Sequence, residues 1–289
     1  MASTTNSSLP KGWPAIVLFG DSITEGEYLI SHCPAPRCYT VAGYTRIWHY
    51  DSGYSLGAVL TEKFSRRIQV LERGFSGYNS SNARVVVDDV IPPAGGAIDL
   101  KLLLVFFGAN DAVLPPDQQI VSEEQAQKGV MVVSQHVDIE EYKVHLKAIA
   151  QHKNVKDHGA KVVLVTPPPI CEHKILPWKD RRSAVAKQYA EAAISVAEET
   201  GVEVLKLWHV FMEEAGWKEG EPLLGEIGVP QSEKLGELLS DGLHLTPKGY
   251  KLYFESLVKL LEDKLPDIYN HKRIFPNWGE APRYQKPDN

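Results

Sequence analysis

A serine, a histidine three residues after an aspartate, an asparagine and a glycine-bearing turn stand at four separated places in this chain, and together they could run acyl transfer. Gly20-Asp21-Ser22 closes an apolar run that begins near the N-terminus, so Ser22 sits where a buried strand breaks into a polar turn. A serine hydroxyl is a weak nucleophile until an adjacent base takes its proton. His244 can be that base because histidine titrates near neutrality, and Asp241 can lie on the same turn, fix the imidazole tautomer and steady the imidazolium. Asn110, at the end of the most apolar run, offers an amide donor. A glycine in the run 73–80 lets the backbone approach a ligand closely and aim an N–H at an oxyanion. Each fragment also has an ordinary use, since Asp, Ser and Asn cap helices, glycine turns join strands to helices, and loop histidines are commonly solvated.

Such residues act together only if the fold carries them to one rim, and in open α/β sheets ligands bind at the C-terminal ends of the strands. Apolar runs at 15–19, 68–71, 102–107, 162–165 and 202–207 predict five strands. Helix-spaced apolar residues at 55–64, 81–90, 139–151, 181–199 and 247–261 predict the helices between and after them. The alternation implies a mostly parallel sheet covered on both faces. Thr246 is a good N-cap and Pro247 suits a first turn, so the last helix should start directly after Leu245, with His244 on the loop that feeds it. The segments 27–54 and 112–137 remain irregular, and connections of that length are often lids or pocket walls.

The 289 residues are 43% hydrophobic and 24% charged, which suits one globular domain over 1–289. A net charge of −6 supplies no basic patch for nucleic acid and no polybasic membrane anchor. No apolar run approaches the roughly 20 residues of a transmembrane helix, and residues 1–10 lack the features of a secretory signal, so a cytoplasmic location is expected. The glycosylation-like triplets at Asn6 and Asn79 then read as chance matches. Cys33, Cys38 and Cys171 are too few for a disulfide framework and poorly spaced for zinc; Cys33 and Cys38 could pair, but are expected reduced. The ten histidines form no His-Glu-x-x-His motif and Gly20 opens no G-x-G-x-x-G series, so no metal and no cofactor are expected. Gly53-Tyr54-Ser55-Leu56-Gly57 matches the nucleophile elbow of another hydrolase fold, but a single strand precedes it, and Ser55 is expected to cap the first long helix.

In order, the four blocks resemble those of the SGNH hydrolases, the GDSL-type esterase and lipase superfamily. The run from Gln135-His136-Val137 to Glu141-Tyr142, the Thr166-Pro167-Pro168-Pro169 segment and the stretch 241–246 resemble its eukaryotic isoamyl acetate-hydrolysing esterase branch. The resemblance implies a three-layer α/β/α sandwich with a mainly five-stranded parallel sheet of flavodoxin-like type. It implies Ser22 as nucleophile, His244 as general base and then acid, Asp241 as the residue orienting it, and the Ser22 and Gly77 N–H groups with the Asn110 side chain as oxyanion donors. The partner implied is a small-molecule ester, with acetates of small alcohols as the short-chain case; a homodimer stays open. A carbohydrate acetylesterase, thioesterase, lysophospholipase or acyl transfer to an alcohol would use the same residues. The non-enzyme alternative is a silent binding protein on the same fold. The segment 27–54 looks longer than the family's usual connection, and its Tyr28, Tyr39, Tyr44, Trp48 and Tyr50 suit either a lid over the pocket or simple packing. Residues 265–289 are expected as a C-terminal extension.

Overall fold

Every residue after the first in β1 (Trp13–Gly20) is buried, as in a strand covered on both faces. The computed structural model describes residues 12–26, 54–119, 134–175, 180–281 and 283. In it β1 lies inside a sheet with β2 (Gln69–Gly74), β3 (Ile98–Phe106), β4 (Lys161–Val165) and β5 (Glu203–Leu205). The order is β2-β1-β3-β4-β5 and every pairing is parallel. The helices among the described residues are α1 (Ser22–Glu25), α2 (Leu56–Lys63), α3 (Ser80–Val90), α4 (Ile139–Ala150), α5 (Lys153–His158), α6 (Ser183–Thr200), α7 (Leu207–Glu214), α8 (Glu233–Leu238), α9 (Pro247–Lys264) and α10 (Pro266–Tyr269).

The two-residue period of the strands sorts their side chains into two cores. Ile16, Leu18, Leu102, Leu104 and Phe106 join one cluster, closed by α2, α7 and α9 through Leu60, Phe211, Tyr253 and Leu257. Val17, Phe19, Leu103 and Val105 join the other, closed by α3, α4 and α6 through Val87, Leu146, Tyr189 and Val196. The chain is therefore the three-layer α/β/α sandwich with a five-stranded parallel sheet that the family resemblance implies, in keeping with the covered parallel sheet read from the alternation.

Several elements depart from expectation: β3 starts at Ile98 rather than 102, and the short helices α1, α5, α8 and α10 carry no extended apolar pattern. The second strand continues to Gly74, because half-buried Glu72 and Arg73 extend the ladder to Leu18 and Phe19 without continuing the apolar run. The apolar stretch 202–207 divides: the strand ends at Leu205 and Leu207 opens α7, whose buried Trp208, Phe211 and Met212 follow helical spacing. Ser55 caps α2, its Oγ accepting from the Ala58 N–H at 3.2 Å, and Thr246 caps α9 with Pro247 in the first turn. The predicted insertion 27–54 lies outside the described residues except Tyr54, whose ring meets Phe254 edge-on at 6.1 Å; Cys33, Cys38 and the aromatic residues of the segment lie outside as well. Past α9 the chain folds back on the body, with the Ile274 N–H donating to Arg66 O at 2.8 Å. Among the described residues no helix is long and apolar enough to cross a membrane.

Candidate active site

The C-terminal ends of β2, β1 and β3 lie side by side, with Gly20 in register with Gly74 on one side and Phe106 on the other. Ser22, Gly77 and Asn110 each follow one of these ends by a few residues, so adjacency in the sheet brings three distant segments to one edge. Gly20 permits the sharp exit of β1: a Cβ there would overlap Thr24 Oγ1 and lie 2.8 Å from the Phe106 carbonyl oxygen. Asp21 then caps α1, its Oδ1 accepting from the Ile23 N–H at 2.9 Å, and Ser22 occupies the first helical position. The last helix is tied to this turn, since Tyr250 Oη donates to the Ile23 carbonyl at 2.7 Å.

Ser22 Oγ lies 2.9 Å from His244 Nε2, across 222 residues of sequence. Behind it, His244 Nδ1 lies 2.8 Å from Asp241 Oδ2. The other Asp241 oxygen accepts from the backbone N–H groups of Leu243 at 3.0 Å and His244 at 2.8 Å, so one carboxylate folds the loop and holds the ring. Burial acts against the Asp241 charge, but hydrogen bonds and the charge of His244, with the two backbone donors, outweigh it and hold the carboxyl below its usual range. An ionised Asp241 keeps the imidazole proton on Nδ1, which leaves Nε2 as the acceptor facing the Ser22 hydroxyl.

Asn110 is buried beyond β3, and its Nδ2 donates to the Tyr78 carbonyl at 2.8 Å. An amide nitrogen carries two protons, so a second remains for another acceptor. Gly77 adopts a φ of +78°, a conformation that favours glycine, and its carbonyl accepts from Gln135 Nε2 at 2.8 Å. Among the described residues neither Gly77 nor Asn110 hydrogen-bonds Ser22; what they share with it is the sheet edge and, with each other, the bond through Tyr78. The arrangement can therefore offer a relayed nucleophile on one strand end and N–H donors on its two neighbours.

Several buried groups around the site were not legible as functional. Asp111 accepts from the Ser80 N–H at 3.0 and 3.2 Å and from the Ser80 hydroxyl, pinning the start of α3. Burial raises the Asp111 carboxyl to about 6 against these bonds. Arg181 is buried and donates to Ala109 O and to Asn110 Oδ1. Asp21 is fully buried, and among the described residues its Oδ2 has no hydrogen-bond partner.

Burial raises the Asp21 carboxyl to about 7, against the lowering effect of the Ile23 N–H, His244 and Arg181, while Asp111 adds to the rise. The folded state thus holds this proton more tightly than the unfolded chain, where aspartate titrates at about 4. The stability gained is complete below the unfolded value and is lost as pH rises to about 7. Asp21→Asn keeps the Oδ1 acceptor and removes the ionisation. Melting temperatures of the two proteins from pH 4 to 8 should show wild type falling relative to Asp21→Asn across that window. A difference that stays constant with pH would mean that Asp21 does not titrate there.

Residues 18–252 match the model of the GDSL-like Lipase/Acylhydrolase family. An isoamyl acetate-hydrolyzing esterase 1 homolog of Homo sapiens is 30% identical over 281 residues, covering 93% of this chain and 88% of that protein. A GDSL esterase/lipase of Arabidopsis thaliana is 32% identical over 260 residues, 86% of each chain. In structure, a lipase/acylhydrolase from Enterococcus faecalis superimposes with a TM-score of 0.54 at 19% identity, covering 87% of this chain and 96% of that one. The acetylxylan esterase Axe2 from Geobacillus stearothermophilus gives a TM-score of 0.53 at 16% identity, covering 86% and 94%. At those identities the structural likeness concerns the fold.

Proposed function

This chain belongs to the GDSL-like lipase/acylhydrolase family and is a carboxylic ester hydrolase, and on that premise we propose that Ser22 is its nucleophile and that short-chain esters, such as acetates of small alcohols, are its substrates. The observation that carries the site reading is the continuous relay from Ser22 Oγ through His244 at 2.9 Å to Asp241 at 2.8 Å.

In the first half-reaction Ser22 Oγ bonds to the ester carbonyl carbon while its proton passes to His244 Nε2. The carbonyl oxygen takes up negative charge and is held by the Ser22 and Gly77 N–H groups and the Asn110 amide. Collapse breaks the bond to the alcohol oxygen, which leaves with the proton from His244, and an acyl-enzyme remains. Water then gives its proton to His244 as its oxygen attacks, and collapse returns that proton to Ser22 and frees the acid. Asp241 stays ionised throughout and stabilises the imidazolium.

Support for a short acyl group comes from the relatives, since proteins named for isoamyl acetate hydrolysis align with nearly the whole chain. A p-nitrophenyl ester series from acetate to decanoate tests it. The expected kcat/KM peaks at two to four acyl carbons and falls about tenfold or more toward decanoate, the scale on which pocket fit to a few methylenes discriminates. A maximum at the long end would replace the substrate class with a lipase-like or lysophospholipase-like one and leave the site reading in place.

A further inference from the structure

We infer that Arg181 is a positioning residue for the oxyanion donors, an inference that rests on the role proposed above for Asn110. Arg181 stands just before α6, far in sequence from every block, yet its buried guanidinium donates to Ala109 O, to Asn110 Oδ1 at 3.1 Å and to Gln135 Oε1 at 3.4 Å. Arginine can only donate, so the edge of the Asn110 amide that it holds must be the oxygen. The NH2 group is thereby turned to the other side, where one proton goes to Tyr78 O and the second, which no described residue accepts, can meet a developing oxyanion.

Without that donor the bond to Tyr78 O alone would hold the amide's orientation, and a half-turn would present Oδ1, which repels an oxyanion. Gln135 extends the same logic to the neighbouring loop: with Oε1 toward Arg181, its Nε2 is directed to the Gly77 carbonyl at 2.8 Å. One cation therefore orders two amides, one beyond β3 and one against the Gly77 turn beyond β2. These acceptors are neutral oxygens, so the guanidinium also polarises the Asn110 amide and strengthens its N–H groups as donors.

The alternative is that Arg181 only anchors the start of α6, and a double-mutant cycle separates the two. In the full-length protein, kcat and KM for p-nitrophenyl acetate are measured for Arg181→Met, Asn110→Ala and the double variant. Arg181→Met should lower kcat about 10- to 100-fold with little change in KM, the cost of a misplaced catalytic group. In the Asn110→Ala background the same substitution should cost at least about threefold less than in wild type, the remainder running through Gln135 and the Gly77 turn. Equal losses in both backgrounds would overturn the inference. If Arg181→Met does not fold, Arg181→Lys runs the same cycle, since it keeps the buried charge and gives up the planar fork. Ser22→Ala distinguishes the levels of failure: full activity in that variant sinks the site itself, whereas a dead Ser22→Ala with an additive cycle sinks Arg181 positioning alone.

Discussion

Ser22→Ala is expected to lower ester hydrolysis by about 10⁴- to 10⁶-fold, the range seen when the nucleophile of a serine relay is removed. The loss should fall on kcat, because in the proposed mechanism the hydroxyl is the atom that bonds to carbon. Stability should change by no more than about 1 kcal/mol, since one hydrogen bond to His244 is given up and no buried volume of consequence is emptied. Ser55→Ala is the matched control, because Ser55 lies in the competing Gly-x-Ser-x-Gly run. Its Oγ caps α2, so alanine there should cost about 1 kcal/mol of stability and leave turnover untouched. Kinetics with p-nitrophenyl acetate, together with covalent labelling by a fluorophosphonate and mapping of the labelled peptide, reads both. Activity within tenfold of wild type in Ser22→Ala, or label found elsewhere, would remove Ser22 from the mechanism.

How much of this was legible in the sequence depended on whether the cause was local. β1 and the C-terminal half of β3 are buried on both faces, so their apolar runs stand out without any knowledge of neighbours. β2 lies at the sheet edge with half-buried Glu72 and Arg73, and its second half has no such signal. The end of β5 was hidden by the opposite effect, because apolar character runs on through Leu205 and Leu207 while the backbone changes from strand to helix. In the site, Ser22, Gly77, Asn110, Asp241 and His244 sit in short blocks at element ends, where turn chemistry and side-chain chemistry can be read together. Arg181 has no such block, and Gln135, though it opens a run that carries the family resemblance, has no chemical role there that its neighbours would reveal. Arg181 meets Asn110 across 71 residues and Gln135 across 46, and in the charged run Lys179-Asp180-Arg181-Arg182 it reads as a solvated helix start. Asp21 was legible as a cap and not as a buried carboxyl, because Gly-Asp turns are ordinarily wet, and only the packing of distant parts of the chain takes the water away.

Asp241→Asn should cost about 10⁴-fold in kcat, and the reason is a tautomer rather than a lost charge alone. Asparagine keeps an oxygen at Oδ1, where it can still accept from the Leu243 and His244 N–H groups, so the loop that carries His244 should fold as before. At Oδ2 it puts an NH2 group, a donor, against His244 Nδ1. Nδ1 must then become the acceptor, the ring proton moves to Nε2, and the nitrogen that faces Ser22 Oγ at 2.9 Å can no longer take a proton from it. The melting temperature should therefore move by only a few degrees, as for the loss of about 1 kcal/mol, while fluorophosphonate labelling of Ser22 slows in parallel with kcat, because labelling needs the same proton transfer. A loss under about tenfold would mean that His244 keeps its working tautomer without the carboxylate, and the relay would then end at the imidazole. Because the two oxygens of Asp241 do separable work, the backbone on one and the ring on the other, this single isosteric change can empty the relay of function and leave its geometry standing.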